Sequence, residues 1–201
     1  MSIRPLRYLG DPILRTASDP VTRFDKALAV LIEDLLDTVR KPGRAGLAAN
    51  QIGSGLAAFS YNVDGQFGYL INPRIVERSG DLDGVEGCLS IPGVSAFRHR
   101  PESVTAVGVS LDQEQVVVAG TGELARCLEH ETDHLRGELY IDELEPAERR
   151  RVMRQINAEQ LTSKDHVDAT MAAGGHANFE MKWSGPDGVV IDISHTGWEG
   201  Y

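Results

Sequence analysis

The eight residues Cys127-Leu-Glu-His-Glu-Thr-Asp-His134 constrain this chain more than any other stretch. On a helix, His130 and His134 stand at i and i+4 on one face, close enough for two imidazoles to hold a single metal ion, with Glu131 beside them. Two histidines do not complete a metal site. The rest of the chain must therefore bring a third ligand, and a partner for an oxyanion, to this helix.

Two cysteines are available by spacing. Cys127 shares the stripe of His130 and His134 at i, i+3 and i+7. At about 1.5 Å rise per residue, however, it sits ~4.5 Å from His130 and ~10.5 Å from His134 along the axis. An ion bridging the histidines takes its third ligand from off that line. Cys88 is on a Gly-flanked loop in the turn-rich run Asp81–Gly93 and approaches from outside the helix, so it is the expected third ligand. Cys127 is expected to be a small buried packing residue. Two histidines and one cysteine leave a fourth position for water, and the thiolate softens the site enough to suit Fe(II) as well as Zn(II).

Composition narrows the setting. With 201 residues, 41% hydrophobic and 25% charged, the chain suits one domain or one domain with an appendage. A formal net charge of −10 argues against a general nucleic-acid binder that relies on neutralising phosphates. Only two cysteines occur, the N-terminus has no apolar core of a secretory signal, and no apolar run reaches membrane-spanning length. The expectation is a cytoplasmic protein with free thiols and no membrane contact.

In chain order, Gly10-Asp11-Pro12 and Pro20 predict an extended arm with short turns. Leu28, Val30, Leu31, Leu35, Leu36 and Val39 predict an amphipathic helix over 24–40, ended by Pro42-Gly43. The stretch from Gly43 to Gly53 either lets backbone approach a ligand or turns into a strand. Strands are expected over 56–61 and 68–71 around an Asp64-Gly65 hairpin, then from Asn72 to Glu77, over 104–111 and over 115–119. Residues 120–136 turn helical, and Pro146 starts a third helix with Val152, Met153 and Ile156 as its apolar stripe. Beyond Ser163 the composition shifts to a linker at Met171–His176 and a hairpin around Gly185-Pro186-Asp187-Gly188. This divides the chain into a catalytic domain, 1–163, and an extension, 164–201. The extension is expected to lengthen a sheet, cap a groove or mediate association. The fold class is α+β, with antiparallel strands around a central helix bearing His130 and His134. His99, His166, His176 and His195 have no partner at ligand spacing and are expected to face solvent.

Three stretches together, Gly46-Leu-Ala-Ala-Asn-Gln51, Glu86-Gly-Cys-Leu-Ser90 and His130-Glu-Thr-Asp-His134, resemble the motifs of the peptide deformylases. The resemblance covers roughly residues 5–145 and includes Gly10–Arg15 and the Leu135–Asp142 continuation. It departs at Arg44, where the family usually has Gly, and at Asn50, where Pro is frequent. Arg44 is expected to narrow or recharge the rim of a substrate groove. The resemblance implies hydrolysis of the formyl group from the formyl-methionine of nascent proteins. Cys88, His130 and His134 would hold one divalent metal, Fe(II) in the cell with Zn(II) or Ni(II) also compatible. Glu131 would be general base and acid. The Gln51 side chain and the Leu89 N–H would hold the oxyanion, and Gly46, Glu86 and Gly87 would bind substrate. It also implies weak ribosome contact through Arg149, Arg150, Arg151 and Arg154.

Two rivals compete with this reading. A zinc protease fits His130–Gly137, but its last histidine is Tyr140 here, so it would have to recruit Glu159, and it leaves Cys88 and Gln51 unused. A non-catalytic module docking on RNA through the basic third helix leaves the whole His130–His134 motif unused.

Overall fold

Asp25 accepts hydrogen bonds from the Ala27 and Leu28 N–H groups and so opens the first helix, α1 (Lys26–Val39). The structure, a computed structural model, describes residues 3–158 and, as backbone alone, 182–184 and 190–192. Ahead of α1 the arm contains a 3-10 turn at Pro12–Arg15, capped by Asp11, as its turn signal predicts.

After α1, a short strand β1 (Gly46–Ala48) runs into a 3-10 turn at Ala49–Ile52. β2 (Ala58–Val63) and β3 (Gln66–Ser79) form the expected hairpin through Asp64 and Gly65, both at positive φ. The two segments expected at 68–71 and 72–77 are one strand. Asn72, at φ 50°, bends it without ending it, because its Oδ1 accepts from the Val21 N–H at 2.7 Å and its Nδ2 donates to Val21 O at 2.9 Å. A side-chain amide thus stands in for the missing strand pairing.

The run around Cys88 is not the expected loop. β4 (Leu82–Cys88) and β5 (Ile91–Arg100) form an antiparallel pair, and Cys88 is the last residue of β4. Its glycines read as turns, yet Gly84 lies within the strand, where a Cβ would come within 2.4 Å of Arg126 Nη2. Glycine is needed there for close packing rather than for a turn.

β6 (Ser103–Val109) and β7 (Gln115–Thr121) complete a five-stranded antiparallel sheet in the order β1-β2-β3-β6-β7, leaving β4-β5 as a separate pair. Alternation along the strands gives the sheet two buried faces. Leu47, Ala58 and Ile71 meet α1, whereas Ala48, Phe59 and Leu70 meet the second helix, α2 (Gly122–Leu135). Every residue of α2 from Leu124 to Leu135 is buried. Such a helix tolerates its charges only with partners, and Arg78 pairs with Glu129 and Arg100 with Asp133. The third helix, α3 (Pro146–Ala158), seats Val152 and Ile156 against Ile91, Val94 and Ala96 of β5. This is the expected α+β arrangement, with α2 at its centre.

Beyond α3, Lys182–Ser184 and Val190–Asp192 pair antiparallel as β8 and β9, the core of the predicted C-terminal hairpin. Its turn, the Met171–His176 linker, Glu159, His166, His176 and His195 lie outside the described residues.

Candidate metal centre

Four residues of helix rise about 6 Å and two residues of strand about 6.7 Å. β4 and α2 therefore keep step where they face each other: Gly84 against Arg126, Glu86 against His130 and Cys88 against His134. Cys88 Sγ lies 3.2 Å from His134 Nε2. One ligand atom from each of Cys88, His130 and His134 falls within 4.8 Å of the others, and all three residues are buried. The two imidazoles cross edge to face with centroids 4.9 Å apart.

Glu86 organises this cluster. Its Oε1 takes a hydrogen bond from His130 Nδ1 at 2.7 Å and another from Arg100 Nη2 at 2.6 Å, and its Oε2 accepts from Arg100 Nε at 2.8 Å. Burial opposes its charge, but the bonds from Arg100 and His130 outweigh that and hold its carboxyl well below the usual range. The carboxylate expected to bind substrate is thus spent on a histidine and an arginine. With Nδ1–H given to Glu86, His130 keeps the lone pair of Nε2 for the cluster. Burial holds His134 well below its ordinary value, helped by the charge of His130. Burial also opposes charge on His130, yet Cys88 and Glu86 push it well above the ordinary value. A buried cluster of one thiol and two imidazoles, one of them oriented by Glu86, fits a borderline-soft divalent ion.

The other side of the same helix face meets β1. A Cβ on Gly46 would lie 2.3 Å from Glu131 Oε1 and 2.7 Å from Cys127 Sγ. Cys127 donates to Ala45 O at 3.3 Å, and burial, with Glu131 nearby, pushes its thiol well up. It is a protonated packing residue outside the cluster, as its axial position predicted. Burial pushes Glu131 up to about 7, and its Oε2 is buried without a hydrogen-bond partner among the described residues. A carboxyl group titrating near neutrality is suited to passing a proton in either direction.

Gln51 closes one end of the site. Its Oε1 accepts from the Ala48 N–H at 2.8 Å, and its Nε2 lies 3.2 Å from Ser90 Oγ and 3.7 Å from Cys88 Sγ. Leu89 and Ser90 form the turn between β4 and β5, with Leu89 half-buried beside the same corner and the Ser90 N–H directed at Cys88 Sγ at 3.4 Å. Gly46 and Gly87 lie on β1 and β4, each at the edge of its own sheet. Asn50 donates from Nδ2 to His134 O at 2.6 Å, tying the stretch before Gln51 to the end of α2. Arg44, expected at the groove rim, donates instead to Thr38 O at 2.9 Å, where a cation suits the carboxyl end of α1.

Other expected residues fall elsewhere. His99 is exposed and bonds Asp83. Tyr140, the residue that defeats the protease reading, is buried with its hydroxyl on Val94 O at 2.8 Å. Arg149 donates to Ile141 O and Asp142 O yet stays exposed, as do Arg150 and Arg154, whereas Arg151 is half-buried and donates to Glu148, Gln155 and Ser95 O. Arg100 lies outside every motif read from the sequence, and Ser90 and Asp133 stand in motifs without a role of their own. Alternation in β5 was the available signal for Arg100, but its apolar counterpart positions made no distinction between a solvent face and a buried ion pair.

A family model for polypeptide deformylase matches residues 3–150. A peptide deformylase of Acidothermus cellulolyticus is 49% identical over 156 residues, 78% of this chain and 87% of that protein. One from Parafrankia sp. is 47% identical over 166 residues, 82% of this chain and 91% of that protein. The crystal structure of a peptide deformylase from Legionella pneumophila superposes with a TM-score of 0.73 at 36% identity, covering 79% of this chain and 96% of that one. With the family's model spanning most of its length and the motif residues gathered at one buried site, this chain belongs to the polypeptide deformylase family.

Proposed function

We propose that this chain hydrolyses the formyl group from the N-terminal formyl-methionine of nascent proteins, giving formate and a free methionine N-terminus. The observation that carries the reading is the gathering of Cys88, His130 and His134 ligand atoms within 4.8 Å beside a buried Glu131.

Cys88, His130 and His134 would hold one divalent ion, Fe(II) in the cell with Zn(II) or Ni(II) as alternatives. When bound, the ion supplies Lewis acidity that polarises the formyl carbonyl and makes water a better nucleophile at neutral pH. Glu131 takes a proton from the attacking water and returns it to the amine nitrogen as the C–N bond breaks. The Gln51 Nε2–H and the Leu89 backbone N–H hold the oxygen that gains negative charge. Glu86 orients His130 by holding its Nδ1–H.

Two strand edges, β1 at Gly46 and β4 at Gly87, have no further strand beside them among the described residues and suit an extended main chain read by backbone bonds with few side-chain demands. The catalytic unit is residues 1–163, with 164–201 a separate extension. No helix among the described residues is long and apolar enough to cross a membrane, in keeping with a cytoplasmic place of action. Arg149, Arg150, Arg151 and Arg154 are the cations proposed for weak, salt-sensitive ribosome contact, and Arg149, Arg150 and Arg154 are exposed on α3.

The test is formate release from a formyl-Met peptide by anaerobically purified protein, with metal analysis. Glu131→Ala should retain metal and lose roughly 10²–10⁴-fold in rate. Metal-loaded protein that releases no formate would end this reading.

A further inference from the structure

Away from the metal cluster, β3 and the end of α2 enclose a pocket of about 350 Å³ that three arginines line, Arg74, Arg78 and Arg136. The chain as a whole has a formal net charge of −10, so three cations around one hollow run against its balance. Thr132 and Arg136, which line the pocket, stand roughly 200° and 240° round the helix from His130. The pocket therefore lies behind α2, on the side turned away from Cys88 and the two histidines.

Neighbouring carboxylates do not use up this donor capacity. Arg78 gives Nε and Nη2 to Glu129, at 2.6 and 3.3 Å, and Arg136 gives the same two nitrogens to Glu138 and Asp133. A guanidinium has five N–H donors, so each keeps its Nη1 group for a further acceptor. Asp133 is also shared with Arg100 at 2.8 Å. Arg74 makes no side-chain hydrogen bond or ion pair among the described residues. Ser18 adds a hydroxyl to the same lining. Its N–H is held by Leu135 O at 2.8 Å, whereas its Oγ is buried with no hydrogen-bond partner among the described residues. A buried hydroxyl left unpaired is costly unless a ligand completes it. Pro73, Ile75 and Leu135 supply the apolar part of the wall.

We propose that this pocket is a second binding site, for a small organic phosphate whose anionic head meets Arg74, Arg78, Arg136 and the Ser18 hydroxyl while its body rests on Pro73, Ile75 and Leu135. A phosphomonoester suits these donors better than a carboxylate does, since it offers three terminal oxygens and nearly two negative charges at neutral pH. The volume is at the low end of small-molecule sites and suits a ligand no larger than a mononucleotide. A phosphodiester in RNA carries the same group with a single charge and fewer free oxygens, so a hollow of this size favours the free monoester. Binding here does not depend on the hydrolytic reaction, because no residue of the pocket belongs to the metal cluster.

The experiment is calorimetric titration of the metal-loaded protein with AMP, adenosine, inorganic phosphate and a short oligoadenylate. AMP should bind, inorganic phosphate more weakly, and adenosine not measurably. Arg74 is exposed, so Arg74→Glu should keep the fold. It replaces a charge-assisted bond by repulsion and should weaken AMP about tenfold or more. Arg74→Lys, which keeps the charge, should stay within about threefold of wild type. Ser18→Ala should weaken AMP by a smaller factor than Arg74→Glu. Phosphate can also bind a metal ion directly, and that mode would show as AMP affinity that Arg74→Glu leaves unchanged. Such a result overturns the site, as do adenosine binding as well as AMP, oligoadenylate binding where AMP does not, or no AMP binding at all. The kcat/KM of Arg74→Glu on a formyl-Met peptide should match wild type, which separates this site from the deformylase reading.

Discussion

Glu86 and His130 are joined by a 2.7 Å hydrogen bond between Oε1 and Nδ1, and both residues are buried. The bond fixes which imidazole nitrogen faces Cys88, and Arg100 holds the carboxylate from behind. Glu86→Ala should weaken metal affinity about 10–100-fold, the usual effect of removing such a support. It also leaves Arg100 with only Asp133, so the metal-free protein should lose about 3–5 kcal/mol. Competition with a chelator measures the first effect and denaturant unfolding the second. Glu86→Gln keeps an acceptor for His130 and should recover much of the affinity. Equal metal retention by wild type and Glu86→Ala would refute the orienting role.

Gln51 is the other support whose chemistry can be separated from metal binding. Its Nε2 reaches Ser90 Oγ at 3.2 Å, and the proposed reaction asks the same N–H to meet developing negative charge. Gln51→Leu should reduce kcat about 10²–10³-fold, with KM changing much less. Gln51→Glu should be at least as damaging, since it sets an acceptor and a negative charge where a donor is needed. Steady-state kinetics on metal-loaded variants decides the matter, and a loss confined to KM would show that Gln51 only binds the ground state.

What could be read beforehand depended on how local each signal was. His130 and His134 declare themselves by a four-residue spacing, and Cys127 could be set aside from helical rise alone. Asn50, Glu86 and Arg100 could not be placed in the same way. The partners of Asn50 and Arg100 include His134 and Asp133, which are 84 and 33 residues away. The β4 strand is not legible in the sequence because Gly84 and Gly87 are ordinary turn residues, and the reason for Gly84 is an arginine on another element. The continuity of β3 through Asn72 is not legible either, because nothing local reveals that Val21 completes its hydrogen bonding.

Asp142 supplies a pH-dependent term remote from the metal ligands. Burial raises its pKa, but hydrogen bonds from Arg15 and from the Leu139 N–H outweigh this and leave it below the ordinary 3.8. In the window between the folded and unfolded values, the unfolded chain binds more protons, so stability rises with pH there. The contribution is complete above about pH 5 and disappears as pH falls through the lowered folded value. Asp142→Asn should therefore be less stable than wild type at neutral pH. The gap should close on acidification, as thermal melts from pH 7 to pH 3 would record. A gap that persists unchanged at pH 3 would show that the ion pair with Arg15 is not its source.

Gly46 tests the space that the reacting carboxyl group needs. Glycine here is not required by backbone conformation, since Gly46 is not among the positive-φ glycines. It is required by proximity: an added methyl would meet Glu131 Oε1 at 2.3 Å and Cys127 Sγ at 2.7 Å. Gly46→Ala must push Glu131 away from β1, while the β4 face that holds Cys88 against His134 is left alone. Metal content should therefore stay at the wild-type level. Displacement of a catalytic group by about 1 Å can cost on the order of 10² in rate, so kcat/KM on a formyl-Met peptide should fall by about that factor. Gly46→Ala combined with Cys127→Ala frees volume on one side of the new methyl and should recover part of the loss. If Gly46→Ala instead loses metal while its turnover per bound ion stays normal, Glu131 is not the group that the glycine accommodates.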